Sequence, residues 1–213
     1  MNIETLLDTA SRKIAQAIPP VSETPRLDAE ILLAFVLKQT RTWLRTWPDK
    51  VIDKTVIQQF NDLLSQRIKG EPVAHLVESQ EFWSLELQIS PATLIPRPET
   101  ERLVELALQH IPIDKHCEIL DLGTGSGAIA LALAHERPLC HVTATDQSEL
   151  ALEIARHNAR KHQLGNITFL HGNWFEPLEN QQQFDVIVSN PPYIVENDPH
   201  LQHGDVRYEP VSA

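Results

Sequence analysis

Three glycines in five residues, Gly123-Thr124-Gly125-Ser126-Gly127, separate an apolar run of strand length at 117–122 from a helical pattern at 128–135. Glycine lets the main chain take positive φ and lets a ligand approach the backbone. A helix that starts directly after such a turn presents unpaired N–H groups to an anion or carboxylate. The segment reads as strand, tight turn, helix. Further apolar runs follow at 141–146, 167–171 and 184–189, and residues 149–162 are helical in pattern. Strands alternating with helices make βαβ units and hence a parallel sheet with helices on its faces. Ligands in such sheets bind beyond the carboxyl ends of the strands.

Those ends carry the polar residues. Gly123, Gly125 and Ala128 satisfy the G-x-G-x-x-G/A pattern, and Asp146, which closes the second run, stands about 20 residues on, where a ribose-binding acid belongs. Its carboxylate can accept two hydroxyl hydrogen bonds from any adenosine-containing cofactor, or face the start of the following helix with no ligand at all. The third run ends in Gly172-Asn173-Trp174-Phe175. An amide and an aromatic there suit the edge and face of an adenine, with core packing the alternative for Trp174. The fourth ends in Ser189-Asn190-Pro191-Pro192-Tyr193. Two prolines remove two N–H donors and fix φ, which leaves acceptors that no regular element consumes. The Asn190 side chain, the Pro191 carbonyl and the flat face of Tyr193 together suit a planar NH2 group held by both its hydrogens.

Upstream the period is helical. Leu6, Leu7, Ala10 and Ile14, then Leu27, Ile31, Leu32 and Val36, then Val56, Phe60, Leu63 and Leu64 predict a helical domain over 1–70. Thr24-Pro25 is expected to start its second helix and Gly70 to end its last. Residues 72–77 and 82–89 alternate as two short strands joined by a polar turn, so 71–97 is read as a hairpin linker that closes in a Pro-rich connector. A helix from Pro98 through Leu108 then opens the second domain, 98–213.

Charge narrows the partners. The net charge is −11, with 10 basic and 12 acidic groups in 1–90 against 8 and 17 in 91–213, so no positive field draws the chain onto a phosphate backbone. Cys117 and Cys140 exclude a disulfide framework, and the longest apolar run, 31–37, falls far short of the roughly 18 residues of a membrane span. A soluble, cytoplasmic protein is expected. No metal site is expected either: His200 and His203, near Asp198 and Asp205, lack zinc-type spacing and read as a polar surface loop. Arg41, Trp43, Arg45 and Trp47 interleave basic and aromatic residues, which packing with snorkelling accounts for as well as a partner surface does.

The Asn190-Pro191-Pro192-Tyr193 tetrapeptide behind a glycine turn resembles the signature of Rossmann-like S-adenosylmethionine-dependent methyltransferases that act on polar amino groups. A narrower likeness spans the whole chain. Leu94-Ile95-Pro96-Arg97-Pro98-Glu99-Thr100-Glu101, residues 121–130 and the tetrapeptide stand in this order behind a helical domain and a hairpin. In this the chain is similar to the peptide chain release factor N5-glutamine methyltransferase family (PrmC/HemK). The resemblance implies S-adenosyl-L-methionine as cofactor. It implies as substrate the side-chain amide nitrogen of the Gln in the Gly-Gly-Gln motif of class I peptide chain release factors, with the helical domain binding the release factor.

Carried over by position, Gly123, Thr124, Gly125, Ser126 and Gly127 would face the methionine part, Asp146 the ribose and Trp174 the adenine. Asn190 would border cofactor and substrate; Asn190, Pro191, Pro192 and Tyr193 would bind the amide, and Asn190, Pro191 and Tyr193 would form the catalytic set. The chain departs from the family pattern at His75, Val77, Glu78 and Asn173. The family also continues through three more strands, which implies a Rossmann-like α/β sheet truncated at its C-terminus, with 184–189 as an open, self-associating edge. A methyltransferase acting on an amino group of a DNA or RNA base is the alternative, since a flipped base offers the same NH2 group. A nucleotide-dependent oxidoreductase shares the glycine turn but not the clamp.

Overall fold

The structure, a computed structural model, describes residues 1–178, 182–192 and 207–210. They fall into two compact units, Met1–Val77 with Arg207 and Tyr208, and a second that begins at Glu78.

The first unit is helical: α1 (Ile3–Ala15), α2 (Pro25–Leu37), α3 (Arg41–Thr46), α4 (Lys54–Ile68) and α5 (Val73–Leu76). Helix α1 starts where the Asn2 side chain accepts from Thr5 N at 2.9 Å, and it buries Ile3, Leu6, Leu7, Ala10 and Ile14, one stripe at helical spacing. Pro25 opens α2 as expected, but Thr24 makes no side-chain cap. The stripe of α1 meets Leu32 and Leu33 of α2, Leu44 of α3 and Phe60 and Leu64 of α4 in one core. Within it the buried Arg67 donates to Asp28 at 2.7 Å and to the main-chain carbonyls of Val21 and Glu71. Neither charge is left alone.

Residues 72–77, read from sequence as a strand, are the short helix α5, entered from Pro72. Four apolar residues do not fix a period, and Pro72, which has no N–H for a strand ladder, stands just before the first turn.

The second unit opens with an antiparallel hairpin of β1 (Ser79–Phe82) and β2 (Leu85–Gln88). Its turn lies at Trp83-Ser84 and not in the polar stretch before Phe82; both residues have positive φ, +53° and +60°. The Trp83 main-chain N–H and indole donate to Glu101 and Glu136, each at 2.8 Å, which holds the left-handed conformation. A 3-10 turn at Pro98–Thr100 leads into α6 (Glu101–His110).

Then come β3 (Glu118–Leu122), α7 (Ala128–Glu136), β4 (His141–Asp146), α8 (Glu149–Lys161), β5 (Ile167–His171) and β6 (Val186–Ser189). The four strands pair in parallel in the order β5-β4-β3-β6. This is the expected Rossmann-like α/β fold. Helix α7 is buried on every face from Ala128 to Ala134, and its alanines let it lie close against the sheet. Among the described residues no helix is long and apolar enough to cross a membrane.

Candidate active site

The strand order fixes where a cleft must form. From β3 the chain moves outward through β4 to β5 and then returns to the other side of β3 as β6, so the connections leaving β3 and β6 diverge at their carboxyl ends. A cleft lies there, lined by Gly123, Thr124, Gly125 and Ser126 after β3, by Asp146 and Ser148 at and after β4, by Gly172 and Trp174 after β5, and by Asn190, Pro191 and Pro192 after β6.

The loop after β3 is held from beneath. The N–H groups of Gly123 and Thr124 both donate to Thr145 O, at 2.9 and 3.0 Å, and Gly125 N donates to Asp146 Oδ2 at 2.8 Å. Gly125 has φ +57°, and a Cβ there would meet nothing within 4 Å. Conformation and an open approach to the main chain, not crowding, account for this glycine. Gly127 differs: it caps α7, and a Cβ would stand 2.5 Å from the Leu131 side chain and 3.1 Å from that of Ala155. It does not line the cleft, and helix packing together with its φ of +88° accounts for it.

Asp146 also accepts from Ser148 N at 2.9 Å through Oδ1. The carboxylate is thus oriented by one N–H on each oxygen, and since each oxygen offers two acceptor sites, a diol can still bind it. Trp174 is 47% exposed at the cleft with φ +50°, so core packing does not account for it. Its carbonyl accepts from Thr145 Oγ1 at 3.2 Å, which ties the loop after β5 to β4.

Asp121, in the strand below the glycine turn, is fully buried. Burial pushes its carboxyl up to about 6; hydrogen bonds from Thr124 Oγ1 at 2.6 Å and from the Ala130 main chain pull the other way, and Asp146 adds a repulsion. Its Oδ1 has no hydrogen-bond partner among the described residues. Asn158 of α8, also fully buried, accepts from Gln88 N at 2.7 Å and donates to Gln88 O and Ser126 O, both at 2.9 Å. One amide thereby staples β2 to the glycine loop.

The sequence pattern assigns the connector no place in the cleft, although residues 94–101 carry the family likeness. Ala92, Thr93, Leu94, Pro96 and Thr100 line the same cleft, and the signal for them was the Pro-rich stretch itself, which no regular element can absorb. Tyr193, His200, His203, Asp198 and Asp205 lie outside the described residues. In the helical unit, Arg41 and Arg45 donate to Glu30, Lys50 stacks over Trp43 and Trp47 stays exposed.

Residues 113–203 match the methyltransferase domain family and residues 5–77 the PrmC N-terminal domain family. Among curated proteins, the release factor glutamine methyltransferase of Aliivibrio fischeri is 49% identical over all of this chain and 74% of its own length. That of Vibrio cholerae is 51% identical over all of this chain and 73% of its own. The Escherichia coli protein of the same name is 54% identical over 90% of this chain and 69% of its own. Taken with a cleft at the switch point of a methyltransferase sheet, these identities show that the chain belongs to the release factor glutamine methyltransferase family.

Proposed function

We propose that this chain methylates the side-chain amide nitrogen of the Gln in the Gly-Gly-Gln motif of class I release factors, in the cytoplasm, with S-adenosyl-L-methionine as methyl donor. The observation that carries the reading is that Asn190, Pro191 and Pro192 line the same cleft as the glycine turn and Asp146.

The residues present fit such a donor. The open face of Gly125 and the start of α7 would take the methionine part, the two remaining acceptor sites of Asp146 the ribose diol, and the exposed ring of Trp174 the adenine. The bound cofactor supplies an electrophilic methyl group on a sulfonium that is already a good leaving group.

The chain's own task is then position. An amide nitrogen is a poor nucleophile because its lone pair is delocalised into the carbonyl. Acceptance of both N–H bonds, by Asn190 Oδ1 and Pro191 O, orients that nitrogen and favours a pyramidal geometry with the lone pair free. Tyr193 would lie against the amide plane. Orientation of this kind supplies roughly 7–11 kcal/mol of barrier lowering when the reacting atoms are aligned. No general base is required at the nitrogen, because the proton can leave to water once the methyl group is bound.

The test is transfer of radiolabelled methyl to a purified release factor, to the same factor with the Gln of Gly-Gly-Gln replaced by Ala, and to an oligonucleotide. Label on the first alone is expected. Asn190→Ala should lower transfer by about 10²-fold or more while cofactor affinity changes less than about threefold. Label on the oligonucleotide, or transfer indifferent to the Gln, would overturn the reading.

A further inference from the structure

The connector between β2 and the Pro98–Thr100 turn has few means of holding itself in place. Residues 91–97 belong to no helix or strand, and Pro96 and Pro98 have no N–H to give. Yet Thr93 and Ile95 are buried, and Thr93, Leu94 and Pro96 face the cleft. Something must fix a wall made of such a segment.

Its start is fixed locally, where Thr93 N and Oγ1 both donate to Ser90 O, at 3.0 and 3.1 Å. Its middle is fixed from far along the chain. Glu209 Oε1 accepts from Ile95 N at 3.1 Å and from Arg97 Nη2 at 2.8 Å, and Oε2 accepts from the same nitrogen at 2.8 Å. The Glu209 side chain is only 2% exposed and that of Arg97 32%. One buried carboxylate therefore grips the connector at residue 95 by its main chain and at residue 97 by its side chain, on either side of Pro96.

We propose that Arg97 and Glu209 are a positioning pair for cofactor binding, which hold Leu94 and Pro96 as a fixed wall of the cleft. This rests on the reading that S-adenosylmethionine occupies that cleft. The chemistry favours the pair over a generic staple. A buried carboxylate that loses its cation must take up a proton or turn toward water. Either change loosens its hold on Ile95 N, and with it the residues that flank the ligand. A single Arg97 nitrogen, Nη2, faces both carboxylate oxygens, a contact that a lysine ammonium can also make.

The experiment is calorimetric titration of the full chain and its variants with S-adenosylmethionine, with thermal unfolding measured on the same samples. The parent chain is expected to bind one cofactor per chain. Arg97→Met should raise Kd at least tenfold with that stoichiometry unchanged, Arg97→Lys should stay within threefold, and Glu209→Gln should fall between them. A variant that merely folds less well would show a lower Tm or a reduced bound fraction at an unchanged Kd, and this result for Arg97→Met would overturn the proposal. So would Arg97→Lys losing as much as Arg97→Met. Failure of the parent chain to bind the cofactor would instead overturn the reading of the cleft, before any variant is compared.

Discussion

Asp121 illustrates how a single buried residue can make stability depend on pH. Its carboxyl titrates near 6 because burial disfavours the charged form, although Thr124 and the Ala130 main chain donate to it. The folded state therefore holds a proton between about pH 4 and 6 that the unfolded state has released, and stability falls as pH rises through that window. Above it, the chain keeps a buried charge beneath the glycine turn. Asp121→Asn removes the titration while leaving one acceptor. Compared with the parent in urea unfolding, the variant should be equal near pH 4 and relatively more stable near pH 7, by roughly 3 kcal/mol at about 1.4 kcal/mol per decade. For the S-adenosylmethionine proposed above, the same negative charge should favour its ammonium and sulfonium groups, so its affinity for the variant should fall by about tenfold, roughly 1.4 kcal/mol. A parallel pH dependence in parent and variant would show that Asp121 does not titrate as described.

At the scale of elements, a buried carboxylate adds an electrostatic tie between α2 and α3 to the apolar contact of Leu44 with the core. Glu30 is buried in α2, with Arg41 and Arg45 of α3 at 3.0 and 2.9 Å and Arg26 at 3.5 Å. Burial alone would raise its carboxyl, but hydrogen bonds and charge from Arg45 and Arg41 outweigh that and hold it below the usual range. Its contribution is thus present above the ordinary carboxylate pKa and lost as pH falls through the lowered value. Glu30→Gln should cost about 2 kcal/mol at pH 7, below the roughly 3–5 kcal/mol of a broken buried pair because the arginines can turn to water, and the gap from the parent should narrow below about pH 4.5. A gap that does not change with pH would assign the loss to packing. Elements differ in how far sequence reveals them. The strands β3 to β5 and the helices α7 and α8 were legible because apolar runs of strand length alternate with helical periods on either side of a glycine turn. The hairpin turn was not, because Trp83-Ser84 carries no Gly or Asn and owes its positive φ to Glu101 and Glu136, 18 and 53 residues away. The strand-end residues of the cleft were legible for the same reason as the strands; the connector was not, since Glu209 reaches it across more than a hundred residues.

For the whole molecule, the decisive fact is that the described residues form two hydrophobic cores, one in each unit. Charge divides with them: residues 1–77 hold 10 basic and 9 acidic groups, residues 78–213 hold 8 and 20. The catalytic unit therefore carries the acidity, which disfavours polyanionic substrates at the cleft. The helical unit, near neutrality, pays no self-repulsion for folding. Its core is complete within the first 77 residues, from Ile3 to Leu76, and each fully buried Leu, Ile or Phe there contributes roughly 1.5–3 kcal/mol. Among the described residues, what a fragment 1–77 would lose is capping: Arg207 and Tyr208 both donate to Lys69 O, at 2.7 and 3.2 Å, just past the end of α4. Two such bonds at about 1 kcal/mol each do not outweigh that core. The fragment should accordingly be helical by circular dichroism and unfold in one cooperative urea transition. Phe60→Ala, at the centre of the core, should abolish that transition, because its cost of about 3–5 kcal/mol is close to all the stability a domain of this size holds. A fragment with helical signal but no cooperative transition would mean that the apolar stripes of α1, α2 and α4 do not by themselves specify one packing.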